Sequence, residues 1–537
     1  MAISVSRVRY FRWFVLALLT GFVLRVPSFF HPWEADEAAY AYIAQRWFTG
    51  EQLYVDLFIG RPQAILWLYG LVIELVGPHL WAIRLVAALA GSISTLFIFL
   101  IARELFPSRE QPLLASWLYA ILAGAPHIEG YTSNAETFMT PWCLAAIWLA
   151  LQTRASASLG AVFGAGVALG IALLLKVSAL PLVLVWLVLA SDLRRARGWI
   201  FAALYAGAFV SGVIVAALPA IILGAAQVGW ERYVYAVFWY RTLTDSLWAT
   251  PLSSQLASFL LSLVETLPVT AVPMALGWLA WPEWKRDRSV TLLMAWLVGS
   301  FLGMSMGSQW FVHYYIQILP PLCVLAAAAW PMLPKLLGDQ SRKIVPVVLA
   351  CALYLTFELP LVWQQIPLLV PYALQDNPVD VAGDRVLELL RSRGTPHHRI
   401  VIAYEAPQIV LRSGMRNATP YLSWRDVRSV PGAFDQTLAV ISEGRTDFVV
   451  VVSLKHFSTE QNERLVTALS ARYRAIGRFG EISVYELNSS LELPGLGYGV
   501  AWPPHDAGST LPLGLSHIGC AFHLFVGSAH AARRRYS

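Results

Sequence analysis

Long apolar runs separated by short polar loops occupy the first two thirds of the chain. Runs of roughly 18 or more apolar residues are long enough to cross a membrane as helices. Glycine and proline are scattered through these runs, which membrane helices tolerate better than soluble ones. The pattern predicts about eleven transmembrane spans, at 11–29, 80–101, 112–128, 136–152, 159–175, 177–191, 200–224, 255–280, 290–307, 314–333 and 344–364.

The apolar segment 64–77 decides the predicted topology. It is short for a span and contains Glu74. If it crossed the membrane, the loops rich in arginine and lysine would lie outside, against the positive-inside rule. We therefore predict an interfacial or re-entrant helix, so that the N-terminus is cytoplasmic and residues 30–79, the first outer loop, face outward. The basic loops lie at 103–109, 154, 194–197, 285–288 and 335–343.

A different pattern begins at about residue 376, where strand-like and helix-like segments alternate. This alternation predicts a small α/β domain, which would be extracytoplasmic because it follows an outward-going span. The predicted elements are helices at 384–393 and 460–473, buried strands at 400–404 and 448–453, and an edge strand at 482–487. The predicted division is a transmembrane domain at 1–365, the α/β domain at 376–487 and a poorly ordered tail at 488–537.

The composition supports the membrane class. Of the 537 residues, 57% are hydrophobic and only 13% are charged, about half the charged fraction of a soluble domain. The net charge of +6 does not indicate a nucleic-acid partner, because the basic residues lie in short loops where they report topology. Three of the four cysteines lie in predicted spans without CxxC spacing, so neither a disulfide framework nor a metal site is predicted from them.

Polar residues of several kinds gather on the predicted outer face. The first outer loop contains Asp36, Glu37 and Arg61 within about thirty residues, while the opposite face carries mostly arginine and lysine. A purely structural membrane protein does not require this asymmetry. The other polar residues on this face are His127, Glu129, Asn134, Glu136, Lys176, Glu231, Arg232, Arg241, Asp245, His313, Tyr314 and Glu358.

These residue types suit group transfer from a lipid-linked phosphate. A carboxylate at the membrane surface can act as general base toward an acceptor hydroxyl or amine. Lysine and arginine can hold a phosphate whose charge grows as it leaves. The residues therefore favour glycosyl transfer, with Asp36 taking the acceptor proton and Arg61 and Lys176 stabilising the leaving polyprenyl phosphate. Direct displacement would invert the anomeric centre.

Structural readings of the same residues stay open. Asp36 or Glu37 would also suit the N-terminal turn of a helix, where the helix dipole favours acidic residues. Glu136 follows Ser-Asn-Ala in a pattern typical of helix capping. Lys176 can extend its amine toward the membrane interface at a hairpin tip, and His313 also fits a structural or interface role.

The first outer loop resembles that of the GT-C fold glycosyltransferases of the protein O-mannosyltransferase and aminoarabinose-transferase superfamily, in its bacterial, family 39-like form. The resemblance lies in an Asp-Glu pair after the first span, then a "G…Y.D" stretch, then a basic residue before proline. Weaker similarities lie in SNAETFM, LLLKVSAL and HYYIQILPPL, and the resemblance covers about 1–365. The matching residues are Asp36-Glu37, Gly50…Tyr54-Val55-Asp56, Arg61-Pro62, Glu136, Lys176 and the stretch from His313 to Leu322.

The resemblance implies a polyprenyl- or dolichyl-phosphate-linked sugar donor, inversion and an outward-facing pocket in a bacterial inner membrane. It implies that Asp36 is the catalytic base and that Glu37 and Glu136 are its acidic partners. The candidates for binding the substrate or the carrier phosphate are Arg61, Lys176, Tyr40, His313 and Tyr314. The acceptor is a lipid, a glycan or a protein. The sequence contains no MIR-like repeat, so a protein acceptor is less well supported than a lipid or a glycan. Relatives differ in whether they use a divalent cation, and this sequence contains no convincing ligand set for one.

Two other classes of function remain alternatives. A transporter or flippase of lipid-linked saccharides should have repeated halves and ionisable residues near the bilayer midplane. The sequence shows no internal repeat, and its charges lie at one interface. A non-catalytic assembly subunit would use the same loops to bind a partner.

Overall fold

Helices make up most of the chain before residue 360. The computed structural model describes residues 5–156, 158–240, 251–280, 288–307, 309–333, 345–359, 378–403, 406–452 and 457–488. The helices of the first part are α1 Val5–Val23, α2 Ala35–Phe48, α3 Ala64–Val76, α4 Leu80–Leu105, α5 Glu110–Leu122, α6 Ala135–Ser156, α7 Leu159–Leu175, α8 Val183–Arg197, α9 Trp199–Val228, α10 Trp230–Val234, α11 Leu252–Glu265, α12 Leu267–Leu279, α13 Arg288–Ser305, α14 Leu319–Ala327 and α15 Val345–Leu353.

Several of these helices suit a membrane by length and composition. Within the described residues, four are long and apolar enough to cross, and the bent pair α11–α12 would make five. Shorter helical turns extend some of them, including the 3-10 turns Val26–Phe30 after α1 and Val177–Leu182 before α8. The four long candidates are Tyr10–Phe30, Leu80–Leu105, Val177–Arg197 and Trp199–Val228.

Helix α3 occupies the segment that decides the predicted topology. Its 13 residues give a length of about 20 Å, against about 30 Å for the hydrocarbon core of a bilayer. Its buried side includes Ile65, Leu66 and Tyr69, whereas Leu71 and Leu75 are exposed. The length is consistent with a helix that does not cross.

The segment predicted as one span, 255–280, is sharply bent near its middle. The structure breaks this segment between α11 and α12, whose axes differ by 86°. Pro268, at the start of α12, has no N–H with which to continue the hydrogen-bond ladder of α11. Thr266 lies at the break and donates both its backbone N–H and its hydroxyl to the Ser262 carbonyl.

Helices α7 and α9 approach each other through glycine. A Cβ atom added to Gly166 would overlap the carbonyl oxygen of Phe209, and one added to Gly212 would overlap that of Phe163. Small residues permit such close backbone contact between membrane helices, where apolar association alone is weak. This contact holds the end of α7, and with it Lys176, in a defined position.

The second part of the chain forms a five-stranded mixed sheet with helices. The strand order is β2-β1-β3-β5-β4, with β2, β1 and β3 parallel and the pairs β3–β5 and β5–β4 antiparallel. The strands are β1 Arg399–Ala403, β2 Arg416–Asn417, β3 Phe448–Val451, β4 Tyr473–Phe479 and β5 Ile482–Leu487. The helices are α16 Pro378–Arg393, α17 Pro407–Ser413, α18 Trp424–Ser429, α19 Ala433–Ser442 and α20 Thr459–Arg472.

The small α/β arrangement was predicted, but the edge position of 482–487 is wrong. That segment is β5 and pairs with β3 on one side and β4 on the other. Strand β4 was not predicted; it begins at Tyr473, the last residue of the predicted helix 460–473. Most β4 side chains are exposed or half-buried, so the strand lacks a clear alternation of apolar and polar residues.

The α/β part contacts the first outer loop directly. Phe58 donates its backbone N–H to the Pro420 carbonyl at 2.9 Å, and Tyr42 Oη accepts from the Asn417 backbone N–H at 2.7 Å. Arg416 pairs with Glu51 at 3.2 Å. The stretch between β2 and α18 is thereby fixed against the loop.

Some predictions lie outside the described residues. These are the structure of the tail from 489 onward, the side chains of Arg241 and Asp245, and most of the basic loops at 285–288 and 335–343. The predicted domain boundaries and the total of eleven spans stay predictions.

Candidate active site

Asp36 lies in the first turn of α2, at the start of the first outer loop. Its Oδ2 atom accepts hydrogen bonds from Tyr40 Oη at 3.2 Å and from Arg61 Nη2 at 3.0 Å. Tyr40 follows by four residues, which places both side chains on one face of the helix. The Asp36 side chain is 35% exposed and that of Arg61 only 11%. A solvent-accessible carboxylate is thus held by a largely buried guanidinium.

Glu37, the next residue, is fully buried with Arg84 of α4. Arg84 donates Nε to Oε1 at 3.0 Å and Nη2 to Oε2 at 2.6 Å, a bidentate pair. Glu37 also accepts the backbone N–H of Ser133 at 2.7 Å and that of Glu34 at 3.1 Å. Protein donors therefore hold both of its oxygens, and Glu37 ties α2 to α4 and to the loop before α6.

A second acid–base group joins Glu136, Lys176, His313 and Tyr314. Glu136 is fully buried in the first turn of α6, and Lys176 follows the last residue of α7. Lys176 Nζ forms an ion pair with Glu136 Oε1 and lies 4.1 Å from the centroid of the Tyr314 ring. His313 Nε2 is 3.8 Å from the same Glu136 oxygen.

His313 is held between two carboxylates. Its Nδ1 atom lies 2.8 Å from Glu129 Oε2, on the side opposite Glu136. Burial lowers the pKa of His313, but the charges of Glu136 and Glu129 outweigh it, so the pKa is raised above its usual value. Glu129 has a left-handed backbone, with φ of 47°, which is uncommon for a residue other than glycine.

The two groups lie next to each other. Arg61, the partner of Asp36, also acts electrostatically on Glu136. The ring of Tyr40 meets that of Tyr69 edge to face at 5.5 Å, and Tyr69 Oη donates to the Ser133 carbonyl at 2.8 Å. The start of α2 is thereby connected to the loop that leads into Glu136.

Two further contacts fix the loops around this site. Glu358, buried in the π turn Tyr354–Glu358, accepts the backbone N–H of His127 at 3.0 Å and lies 2.7 Å from its Nδ1 atom. Arg425 of α18 lies 5.3 Å from the ring centroid of Phe311, which stacks on His313 at 5.6 Å. The π turn that follows α15 and the α/β part thus both reach residues beside the second group.

All eight candidate site residues from the sequence analysis fall in these two groups, although Glu37 faces away from the accessible side. Arg84 was missed, and its signal was a lone arginine inside the apolar run 80–101, where a buried charge requires a partner. Glu129 and Glu358 were singled out as outer-face polar residues without a role. Arg425 had no signal, because nothing in the sequence places α18 beside His313.

A neutral histidine lies at the edge of the first loop. Burial, and then the charge of Arg84, lower the pKa of His31 to about 3. Its Nδ1–H therefore donates to the Pro32 carbonyl at 2.9 Å, and its 3.7 Å approach to Glu34 is not an ion pair at neutral pH. Among the residues that the structure describes, no three His, Cys, Asp or Glu side chains are grouped to hold a metal ion.

Comparison with known sequences gives one family and a set of transferases. Residues 60–223 match the family described as dolichyl-phosphate-mannose-protein mannosyltransferase. The undecaprenyl phosphate-alpha-4-amino-4-deoxy-L-arabinose arabinosyl transferase of Pseudomonas aeruginosa (strain UCBPP-PA14) is 28% identical over 332 residues, 59% of each chain. The enzyme of the same name from Aeromonas hydrophila is 28% identical over 313 residues, 55% of each. The chain thus spans less than two thirds of the length of these relatives.

Comparison with solved structures gives the fold. ArnT from Cupriavidus metallidurans, bound to undecaprenyl phosphate, superimposes with a TM-score of 0.65 at 16% identity, covering 92% of this chain and all of that one. An Archaeoglobus fulgidus oligosaccharyltransferase tethered to an acceptor peptide gives a TM-score of 0.51 at 13% identity, covering 90% and 74%. The comparisons confirm the resemblance seen in the first outer loop: this chain has the GT-C glycosyltransferase fold and is similar to the protein mannosyltransferase and aminoarabinose-transferase superfamily.

Proposed function

We propose that this chain is a membrane glycosyltransferase that moves a sugar from a polyprenyl-phosphate carrier to an acceptor at the outer face. The observation that carries the proposal is the accessible carboxylate of Asp36, held by Arg61 and Tyr40 beside the buried Glu136–Lys176 pair. The similarity to arabinosyl transferases named for an undecaprenyl phosphate donor supports the same donor class.

In the proposed step, Asp36 acts as general base. An acceptor hydroxyl attacks the anomeric carbon and gives its proton to the Asp36 carboxylate. The new carbon–oxygen bond forms as the bond from the anomeric carbon to the phosphate oxygen breaks, so the configuration inverts. The products are the glycosylated acceptor and the polyprenyl phosphate.

Cationic side chains would stabilise the departing phosphate. Arg61 and Lys176 lie beside the two acids, and the raised pKa of His313 favours its charged form nearby. Donors fixed before the reaction stabilise developing charge without reorganisation. Glu37 acts as a positioning residue in this scheme, because protein groups hold both its oxygens. The acceptor is a lipid, a glycan or a protein.

Substitution of Asp36 tests the assignment. We expect Asp36→Asn to lower kcat by about 10²- to 10⁴-fold, the usual contribution of a general base, with thermal stability near that of the wild type. Asp56→Asn is the matched control, since Asp56 lies in the same loop and accepts the Gln52 backbone N–H. Transfer from polyprenyl-phosphate sugars by purified protein in detergent also separates an enzyme from a flippase, which needs two compartments. Undiminished transfer by Asp36→Asn would refute the base assignment.

We further propose a cytoplasmic N-terminus, about eleven spans, a non-crossing α3 and an extracytoplasmic α/β domain. Cysteines introduced at Gln52 and Arg109, both exposed, test this in a chain without its native cysteines. An impermeant thiol reagent added from outside should label position 52 and leave position 109 unlabelled. Labelling of both would mean that α3 crosses the membrane.

A further inference from the structure

Residues 133–136, the end of the loop before α6 and the first turn of that helix, hold three buried oxygen atoms without hydrogen-bond partners in the described part of the chain. They are Ser133 Oγ, Asn134 Oδ1 and Glu136 Oε2. Ser133 and Glu136 are fully buried, and Asn134 is 2% exposed. A buried polar atom without a partner costs free energy. Three such atoms within four residues therefore require an explanation.

Hydrogen bonds to the backbone and to neighbouring threonine side chains hold this loop in place. The Ser133 backbone donates its N–H to Glu37 and accepts from Tyr69 Oη, so both sides are fixed. Thr132 Oγ1 donates to the Glu129 carbonyl at 2.7 Å, and Thr137 Oγ1 donates to the Thr132 carbonyl at 3.0 Å. The backbone that carries the three side chains is therefore held in place. A binding site needs such a fixed backbone to position its side chains for a ligand.

The loop lies beside the proposed reaction centre. Glu37, which accepts the Ser133 N–H, is the neighbour of Asp36. Glu136 Oε1 is occupied by Lys176, which leaves Oε2 as the oxygen without a partner. A group bound here would therefore lie close to both Asp36 and the cations proposed for the phosphate.

The chemistry of the three atoms restricts the ligand. Amide and carboxylate oxygens only accept hydrogen bonds, and a serine hydroxyl both accepts and donates. The ligand must therefore bring O–H or N–H groups, which an ionised phosphate lacks. Oxygen atoms also suit a divalent cation, but Lys176 on the same carboxylate and Arg61 nearby would repel one.

We infer that Ser133, Asn134 and Glu136 Oε2 form the subsite for the hydroxyl or amino groups of the transferred sugar. This rests on the proposed glycosyl transfer and adds Ser133 and Asn134 as binding residues. The subsite separates recognition of the sugar from that of the carrier: the loop at 133–136 contacts the sugar, and Arg61 and Lys176 contact the phosphate.

Equilibrium binding tests the inference without requiring turnover. The probes are undecaprenyl phosphate linked to mannose, the same carrier linked to 4-amino-4-deoxyarabinose, and undecaprenyl phosphate without a sugar. We expect Ser133→Ala and Asn134→Ala each to raise the Kd of the tighter-binding sugar probe by about two- to tenfold, the usual effect of one lost hydrogen bond. The Kd of the sugar-free carrier should not change.

The stability of the ligand-free protein provides a second test. Ser133→Ala removes a buried hydroxyl that has no partner, so its unfolding temperature should equal or exceed that of the wild type. Thr132→Val is the matched control: it removes a neighbouring hydroxyl that is bonded to Glu129, so it should lower the unfolding temperature and leave the Kd of the sugar probe unchanged.

Three results would overturn the inference. An equal rise in Kd for the sugar-free carrier would place the phosphate at this loop. Unchanged binding of the sugar probes in both variants would make the oxygens structural or hydrated. A need for added Mg²⁺ that increases in Asn134→Ala would indicate a cation site. None of these depends on Asp36, so failure of the subsite and failure of the base assignment are distinguishable.

Discussion

Asp36 and Glu37 are neighbours in the sequence, and each is paired with an arginine, but their surroundings differ. Glu37 and Arg84 are fully buried and joined by two hydrogen bonds. Arg61 donates a hydrogen bond to Asp36, and about a third of the Asp36 side chain is exposed. Adjacent helical residues point about 100° apart, so one acid faces the protein interior and the other faces the accessible side. A carboxylate must reach a substrate to act as a base, and of these two acids Asp36 is the exposed one, which favours it as the proposed base.

The largest expected effect tests the buried pair. Arg84→Ala would leave the Glu37 charge buried without its partner, so we expect a loss of about 3–5 kcal/mol in the free energy of unfolding. Unfolding of the purified protein in detergent would measure it. Arg103→Ala is the control, because Arg103 is 56% exposed and lies 4.0 Å from Glu104, and we expect it to cost less than about 1 kcal/mol. Equal stability of the two variants would refute the structural role of Glu37.

The Glu136–Lys176 pair is intermediate between these extremes, since Glu136 is fully buried and Lys176 is 17% exposed. We expect a double-mutant cycle with Glu136→Gln and Lys176→Met to give a coupling energy of about 0.5–3 kcal/mol in the free energy of unfolding. Glu136→Gln should rescue part of the stability lost in Lys176→Met, because it removes the buried charge. Strictly additive effects would mean that the two side chains are not paired.

The pH dependence of stability sharpens the same comparison through His313. Because Glu136 and Glu129 raise its pKa in the folded state, protonated His313 stabilises the fold. This contribution is fully present below the ordinary histidine pKa of about 6.5 and is lost as pH rises through the raised value. The stability difference between the wild type and His313→Gln should therefore shrink as pH increases. A difference that grows with pH would mean that His313 is held in its neutral form.

Much of the fold could be predicted from the sequence because the pattern of apolar residues determines most of the helices. Helices α4, α7 and α9 begin within a residue of the predicted positions, since long apolar runs allow few alternatives. The break at Thr266 was missed, although Pro268 gave a local reason for it. Strand β4 was missed because its exposed side chains carry no apolar alternation. Pairing with β5, a tertiary contact, determines that strand.

The residues of the site could be predicted from the sequence, but their arrangement could not. Asp36, Arg61, Glu136 and Lys176 stood out because ionisable residues are rare in such an apolar chain. Their pairing depends on contacts across 25 and 40 residues of sequence, which no local pattern encodes. The different roles of Asp36 and Glu37 depend on Arg84, which was hidden inside an apolar run.

The smallest expected effect concerns Tyr40, which holds Asp36 from its own helix. Tyr40→Phe removes the hydroxyl that donates to Oδ2 at 3.2 Å while keeping the ring near Arg61. The loss of one hydrogen bond at this length should lower kcat/KM by about two- to tenfold. Tyr69→Phe is the matched control, because its hydroxyl donates to the Ser133 carbonyl and not to Asp36. If Tyr40 acts through the protonation of Asp36, Tyr40→Phe shifts the acidic limb of the pH–rate profile and Tyr69→Phe does not. An identical profile for both variants would confine Tyr40 to packing, and the orientation of the accessible carboxylate would then depend on Arg61.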